Sequence, residues 1–377
     1  MELKRMKAAI VGCGVISEVY MNFFRDRGRM IELVACADLD EARMHRSAEA
    51  YGLRAMPFEE ILADPEIEII INLTNPAAHY PLTKKALLSG KHVFTEKTIA
   101  VTVEEGIELC EISREKGVRL GSAPDTFLGG GLQTARYAIE SGLIGKPLSF
   151  VASVSRDNGI FGEMLPHLCR PGGGVIFDIG CYYLTALASM FGPVEKISAF
   201  AGINEPERTN MRMTSPNFGK PYTVEVENVI AAVLQFQNGV RGTFHMNSDS
   251  ILDEEARLKI YGTEGILSAG DPNLFGSPVT VKKMLGEEIR FPFTHGYTVQ
   301  SRGIGATEMA WAIRSGRPHR ASMELACHVL EVAHGIEESA RSGEVYRTRT
   351  AFAVPAALPA GYLDNGMWGP TEESALI

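Results

Sequence analysis

The 377-residue sequence has only six cysteines and two tryptophans, no basic tract, and no apolar run near the ~20 residues that a membrane span needs. Cys13, Cys36, Cys110, Cys169, Cys181 and Cys327 form no C-x-x-C pair and no metal-type pairing with histidine. Several lie inside apolar runs, so reduced thiols in a reducing compartment are expected. No H-E-x-x-H, no clustered His/Cys/Asp ligands and no G-x-S-x-G occur, which removes metal hydrolysis and serine acyl transfer from consideration. A net charge of −9 argues against nucleic acid or an anionic membrane as the main partner. Lys4, Arg5 and Lys7 precede an apolar stretch in the manner of a signal peptide. That stretch is short, is broken by Gly12 and Gly14, and is needed for a first strand, so a cytoplasmic protein is expected.

What is present is ordinary globular material, 45% hydrophobic and 22% charged, long enough for two domains. The most informative stretch is Ala8-Ala9-Ile10-Val11-Gly12-Cys13-Gly14-Val15-Ile16-Ser17, which reads as strand, tight turn and helix start. Gly12 permits the turn, and Gly14 has no Cβ to keep a pyrophosphate from the backbone. The helix start offers unpaired N–H groups to that anion, placing Gly12, Gly14, Val15 and Ile16 at a dinucleotide. Ser17 stands where the fingerprint has its third glycine and is small enough for close helix–strand packing. A second strand, Glu32–Ala37, ends at Asp38, placed to accept from ribose hydroxyls or, alternatively, to cap the helix Asp40–Tyr51. A carboxylate there favours NAD(H); nearby Arg43 leaves NADP(H) possible.

Strand–helix alternation continues through a short helix at Phe58–Leu62, strand Ile67–Leu73, helix His79–Leu88, strand His92–Phe94, helix Val103–Lys116 and strand Val118–Gly121. It predicts a doubly wound parallel sheet over residues 1–122, an α/β Rossmann domain. Thr74, Asn75, Pro76, Glu96 and Lys97 fall at strand C-termini, where such sheets bind ligands, and His79 either caps its helix or faces the cofactor cleft. From residue 123 the pattern changes. Helices are expected at Gly131–Ser141 and, after Gly172-Gly173-Gly174, at Val175–Phe191. Strands follow at Leu148–Val154, Val194–Phe200, Thr223–Phe236, Val240–Asn247, Ala256–Tyr261, Gly265–Ala269 and Val279–Met284. Gln237-Asn238-Gly239 marks a hairpin. Residues 123–344 thus read as an α+β domain with a large open, mainly antiparallel sheet, closed by helices Gly305–Ser315 and Ser322–Arg341. Residues 345–377 read as an extended C-terminal segment draped over a neighbour.

Three groups carry candidate chemistry. Lys97 ends an inner strand and can hydrogen-bond a substrate hydroxyl and a nicotinamide ribose, or can simply pair with Glu96 at the surface. Asp178 and Tyr182, four apart, share one face of an otherwise apolar helix. They serve either as acid/base machinery or as a dipole partner and a core aromatic. A tyrosine beside a lysine is expected to have a lowered phenol pKa. Arg156, Asn158, His167 and Arg170 lie in an irregular polar stretch that forms either a substrate wall or a solvated loop.

Together these segments resemble the Gfo/Idh/MocA oxidoreductase family. Leu73-Thr74-Asn75-Pro76-Ala77-Ala78-His79 is similar to its T-P-N-x-x-H segment with proline and asparagine exchanged. Gly90-Lys91-His92-Val93-Phe94-Thr95-Glu96-Lys97 is similar to its G-K-H-V-x-x-E-K-P signature, with Thr98 in place of the proline. Gly172 to Gly180 matches its G-G-G-x-x-x-D-x-G helix opening. The resemblance implies a catalytic-site lysine at Lys97 and a substrate-site aspartate at Asp178. Tyr182 stands where many members have histidine and where the glucose–fructose oxidoreductase and dihydrodiol dehydrogenase branches have tyrosine, which makes it the acid/base. It further implies hydride transfer between a nicotinamide and a secondary hydroxyl of a sugar, glycoside or cyclic polyol, in a homo-oligomer, dimer or tetramer. The family also contains NAD-dependent glycosidases and non-catalytic sensors, which remain the alternatives. Without the proline, Lys97 is expected to be held less rigidly.

Overall fold

The computed structural model describes residues 4–156, 166–170, 172–250 and 257–359. Its first half alternates β1 (Met6–Val11), α1 (Val15–Asp26), β2 (Ile31–Ala37), α2 (Glu41–Tyr51), β3 (Arg54–Ala55) and α3 (Phe58–Ala63). It continues with β4 (Ile69–Asn72), α4 (Pro76–Leu88), β5 (His92–Thr95), α5 (Val103–Lys116) and β6 (Leu120–Ser122). The six strands form one parallel sheet in the order β3-β2-β1-β4-β5-β6. Every residue of β4 is buried, as its β-branched run predicts for a strand covered on both faces. Strand order reverses between β1 and β4, so the crevice beyond their C-terminal ends lies between the glycine turn and Thr74-Asn75.

Local chemistry sets the helix ends. The Thr102 hydroxyl accepts from the Glu105 N–H while the Glu105 carboxylate accepts from the Thr102 N–H, and Gly117 closes α5 in the left-handed conformation. Helix α4 begins at Pro76 rather than at His79, because the Asn75 side chain caps it and proline suits the first turn. Helix α1 begins at Val15, directly after Gly14.

The second half comprises α6 (Gly130–Glu140), β7 (Pro147–Ser155), a π-turn at Ile176–Gly180 running into α7 (Cys181–Phe191), β8 (Val194–Gly202), β9 (Glu207–Thr209) and β10 (Pro221–Thr223). Then come β11 (Val229–Phe236), β12 (Arg241–Asn247), β13 (Arg257–Gly262), β14 (Gly265–Ser268), β15 (Val279–Lys283), β16 (Glu288–Phe291), α8 (Ile304–Ser315), α9 (Met323–Ser342) and β17 (Tyr346–Arg347). Nine strands form an open sheet ordered β16-β15-β14-β13-β7-β12-β11-β8-β17, parallel at β7–β12 and antiparallel elsewhere. Helices α7 and α9 cover one face, where Phe236 packs edge-on against Phe150 and Phe191. The other face carries exposed Phe200, Val233 and His245.

The structure departs from or adds to the expected pattern at three places. The single strand expected at Thr223–Phe236 is two. Val224 and Val226 turn away to pack with Cys169, and β10 pairs with β9 in a separate ribbon. The described part of the C-terminal segment packs against its own chain. Leu358 is buried, its N–H donates to Gln133 and its carbonyl faces His295, while Arg320 donates to the Ala356 and Ala357 carbonyls. The late helices close both layers. A Cβ on Gly305 would lie 2.6 Å from the Phe94 ring of β5, and Gly121 bridges to Ser322 at the start of α9.

Candidate active site

The turn after β1 is a cradle with an open mouth. Gly12 has φ +97°, and a Cβ there would lie 2.8 Å from the Leu73 carbonyl, so glycine is required where β1 and β4 converge. Gly14 caps α1 without any side-chain bond, and no atom lies within 4 Å of its Cβ position. The first N–H groups of α1 therefore open onto free space, with Val15 beside them 81% exposed. That donor set fits a dinucleotide pyrophosphate. Ser17 is buried and donates to the Gly14 carbonyl at 2.6 Å, filling the third-glycine position without strain. Asp38 holds the turn, one carboxylate oxygen accepting from the Cys13 N–H at 2.7 Å and the other from the Asp40 N–H at 2.8 Å. Asp40, not Asp38, caps α2. The Arg43 guanidinium lies 3.8 Å from Asp38.

Across the crevice, Thr74 donates its hydroxyl to Asn72, and Asn75 is committed to capping α4. His79 does not face the cleft. It is 0% exposed, with Nδ1 2.6 Å from the Thr98 carbonyl and Nε2 3.0 Å from the Thr74 carbonyl. It fastens the turn after β4 to the turn after β5, which corrects its expected role as a cofactor contact. Glu96 is similarly engaged, accepting from the Tyr20 hydroxyl at 2.7 Å and from the Lys97 N–H at 2.9 Å. The Lys97–Thr98 peptide is cis, and Thr98 donates its hydroxyl to the Ala100 carbonyl. His79 and this bond hold the turn where the family signature has proline.

Lys97 pairs with Asp178, not with Glu96. Its ammonium donates to Asp178 Oδ1 at 2.7 Å and to the Asp178 main-chain carbonyl at 3.1 Å. Burial is the largest single influence and disfavours the ammonium, but the Asp178 charge and hydrogen bond, together with Tyr182 and Cys181, outweigh it and hold the Lys97 pKa above its ordinary value. Asp178 lies in the π-turn rather than in regular α-helix, a local widening common at functional sites. Tyr182 follows in the first turn of α7, its ring centroid 5.8 Å from the Lys97 ammonium. The expected lowering of its phenol pKa is corrected. Burial pushes it up to about 12, although Lys97 and Arg302 both pull downward.

Two residues went unnoticed in the sequence. Arg302, just ahead of α8, donates to the Tyr182 hydroxyl at 3.2 Å and lies over its ring. Asp125 accepts from the Gly303 and Gly305 N–H groups at 2.8 and 3.0 Å and so fixes the loop that carries Arg302. Their only signals were an arginine beside glycine and an aspartate after a proline, both commonplace. Arg156, just past β7, lies close enough to Asp271 for its charge, with that of Arg302, to oppose the burial that raises the Asp271 carboxyl. Arg170 is exposed and has no side-chain bond to the cluster. Asn158 lies outside the described residues, as does the side chain of His167. Among the described residues no group of three or more His, Cys, Asp or Glu is placed to hold a metal, and no helix is long and apolar enough to cross a membrane.

A parallel sheet with an open glycine cradle at its switch point, and a lysine–aspartate–tyrosine cluster near its strand ends, places the chain in the class of nucleotide-binding α/β proteins. Residues 6–123 match the family model described as "Oxidoreductase family, NAD-binding Rossmann fold", and residues 132–268 match that of the "GFO/IDH/MocA C-terminal domain". The chain belongs to the GFO/IDH/MocA oxidoreductase family. It is 26% identical over 247 residues to a D-xylose dehydrogenase of Paenarthrobacter nicotinovorans, covering 61% of this chain and 62% of that one. It is 26% identical over 301 residues to the bovine (Bos taurus) trans-1,2-dihydrobenzene-1,2-diol dehydrogenase, covering 76% and 80%. Several curated relatives, the xylose dehydrogenase among them, are matched over only 54% to 62% of their own length. Among solved structures, a levoglucosan dehydrogenase in complex with NADH and L-sorbose superposes with a TM-score of 0.77 at 18% identity, covering 92% of this chain and 99% of that one.

Proposed function

We propose that this protein transfers hydride between a nicotinamide dinucleotide and a secondary hydroxyl, or the corresponding carbonyl, of a sugar, glycoside or cyclic polyol. The observation that carries the reading is the bonded Lys97–Asp178 pair beside Tyr182, at the end of β5 next to the open cradle. Gly12, Gly14, Val15, Ile16 and Asp38 would hold the dinucleotide, with Thr74, Asn75, Pro76, Glu96 and Lys97 around its nicotinamide end. That group, when bound, supplies the hydride acceptor or donor. Lys97 holds the substrate hydroxyl and favours its alkoxide character, Asp178 fixes Lys97, and Tyr182 exchanges the hydroxyl proton. NAD(H) is the favoured partner because Asp38 would repel a 2′-phosphate, while Arg43 leaves NADP(H) within reach. Substrate class follows the sugar and diol relatives. Arg156, Asn158, His167 and Arg170 complete the substrate wall, and residues 1–122 and 123–344 act as the two domains. The exposed outer face of the nine-stranded sheet pairs copies into a dimer or tetramer in the cytoplasm.

The test is nicotinamide absorbance with NAD and NADP in turn across sugars, glycosides, inositols and cyclic diols. NADH formation with one class is expected. Lys97→Ala is expected to lose roughly 10²–10⁴-fold in turnover with dinucleotide binding retained. Glycoside cleavage without net cofactor reduction would replace the reading with redox-assisted hydrolysis. Tight NAD binding with no product from any class would make the protein a sensor.

A further inference from the structure

We propose that Arg302 is a positioning residue for this reaction, aiming the Tyr182 proton at the substrate oxygen and stabilising the phenolate that receives the substrate's proton. The inference rests on the acid/base reading of Tyr182. Arginine has five N–H donors, no acceptor, and a permanent charge. At 3.2 Å its Nη2 must donate, so the Tyr182 oxygen is the acceptor and the phenol proton has to point elsewhere. Lys97, its ammonium 5.8 Å from the ring centroid, is also donor-only. Among the described residues the Tyr182 proton has no acceptor, although the residue is buried. The oxygen of a bound hydroxyl or carbonyl would supply that missing acceptor.

Arg302 is itself held firmly. Nη2 also donates to the Asn273 carboxamide oxygen at 2.5 Å, Nη1 donates to Gln300 at 2.8 Å, and its plane lies over the Tyr182 and Phe275 rings. Asp125 anchors the adjoining Gly303 and Gly305. The groups that act on the Tyr182 phenol are Lys97 and Arg302, which favour its ionised form, and Glu96 and Cys181, which oppose it. Burial is the largest influence and favours the neutral phenol, the two cations oppose it, and among the described residues only Arg302 hydrogen-bonds the oxygen.

In the oxidising direction the substrate C–H bond breaks as its electron pair leaves as hydride to the oxidised nicotinamide. The O–H bond breaks as its proton passes to the Tyr182 phenolate, and a carbonyl forms. In reduction the Tyr182 phenol returns that proton.

The experiment is the pH dependence of kcat/KM for oxidation in the wild type, Arg302→Gln, Arg302→Lys, Tyr182→Phe and the Arg302→Gln/Tyr182→Phe double variant. Equilibrium NAD binding and thermal unfolding are measured on each. Removing the cation is expected to move the rising limb up by about one pH unit, with about a tenfold loss at neutral pH. Lysine should restore the limb, NAD affinity should not change, and the second substitution should cost nothing further once Tyr182 is phenylalanine. If Arg302→Gln does not fold, Arg302→Met, which keeps the stacking on the two rings, replaces it. An unmoved limb in a folded charge-free variant overturns the inference, as does an equal loss in the Tyr182→Phe background. Wild-type turnover in Tyr182→Phe would instead sink the acid/base reading itself.

Discussion

Asp38 occupies a position where one carboxylate has two duties. It accepts from the Cys13 and Asp40 N–H groups, which shapes the glycine turn, and in the proposed reading it also accepts from an adenosine ribose. Arg43 is within 3.8 Å and half-exposed. Replacing Asp38 with serine removes the negative charge, keeps a short acceptor for the turn, and frees Arg43 toward an incoming 2′-phosphate. Asp38→Ser is therefore expected to shift the NAD/NADP affinity ratio toward NADP by about tenfold or more, read by fluorescence titration of the reduced cofactors. An unchanged ratio would mean that Asp38 serves the turn alone. Lys97, Asp178 and Tyr182 were visible from residue type and motif. The environment of Tyr182 was not, because a neighbouring lysine says nothing about how completely water is excluded.

Among the elements, the turn joining β1 to α1 tolerates least. An alanine at Gly12 would combine an unfavourable φ of +97° with a 2.8 Å approach to the Leu73 backbone. Gly12→Ala should cost about 1–3 kcal/mol in thermal or denaturant unfolding and weaken dinucleotide binding, since the strain can be relieved only by parting β1 from β4. The parallel sheet was legible because buried β-branched runs, glycine stops and caps are local signals. Strand β3, of two residues, carries no pattern of its own. The π-turn at Ile176–Gly180 looks in sequence like the start of one long helix, as its apolar spacing suits either form. What distinguishes it is tertiary, the Lys97 ammonium bonded to both the side chain and the main-chain carbonyl of Asp178. Arg302 escaped notice for the same reason, lying 120 positions from its partner.

For the whole molecule, acid sensitivity follows from histidines buried in the neutral state. His328 accepts from the Val194 N–H at 2.9 Å through Nε2, and burial pushes its pKa down to about 4. His92 accepts from the Arg119 N–H at 2.8 Å and is likewise pushed down to about 4 by burial. Above the unfolded value of 6.5 both are neutral whether folded or unfolded, so they add no pH dependence there. As pH falls from 6.5 toward about 4, the unfolded chain takes up protons that the folded chain refuses, and stability falls. Asp125 acts the other way, because burial pushes its carboxyl up to about 6 and the folded chain keeps a proton that the unfolded chain releases. Denaturant unfolding should show a net loss on acidification. In His328→Gln the loss should be smaller, by on the order of 3 kcal/mol at full effect.

Lys97 reaches Asp178 across 81 positions, and Tyr182 reaches Arg302 across 120. Each closure is costly for a chain that is still searching, and contacts of such high order form slowly. The turn of the nucleotide cradle is held by a much shorter closure, the Cys13–Asp38 bond across 25 positions. During refolding, cofactor capture should therefore return before turnover, which makes recovered activity a clock for the last docking step rather than for collapse.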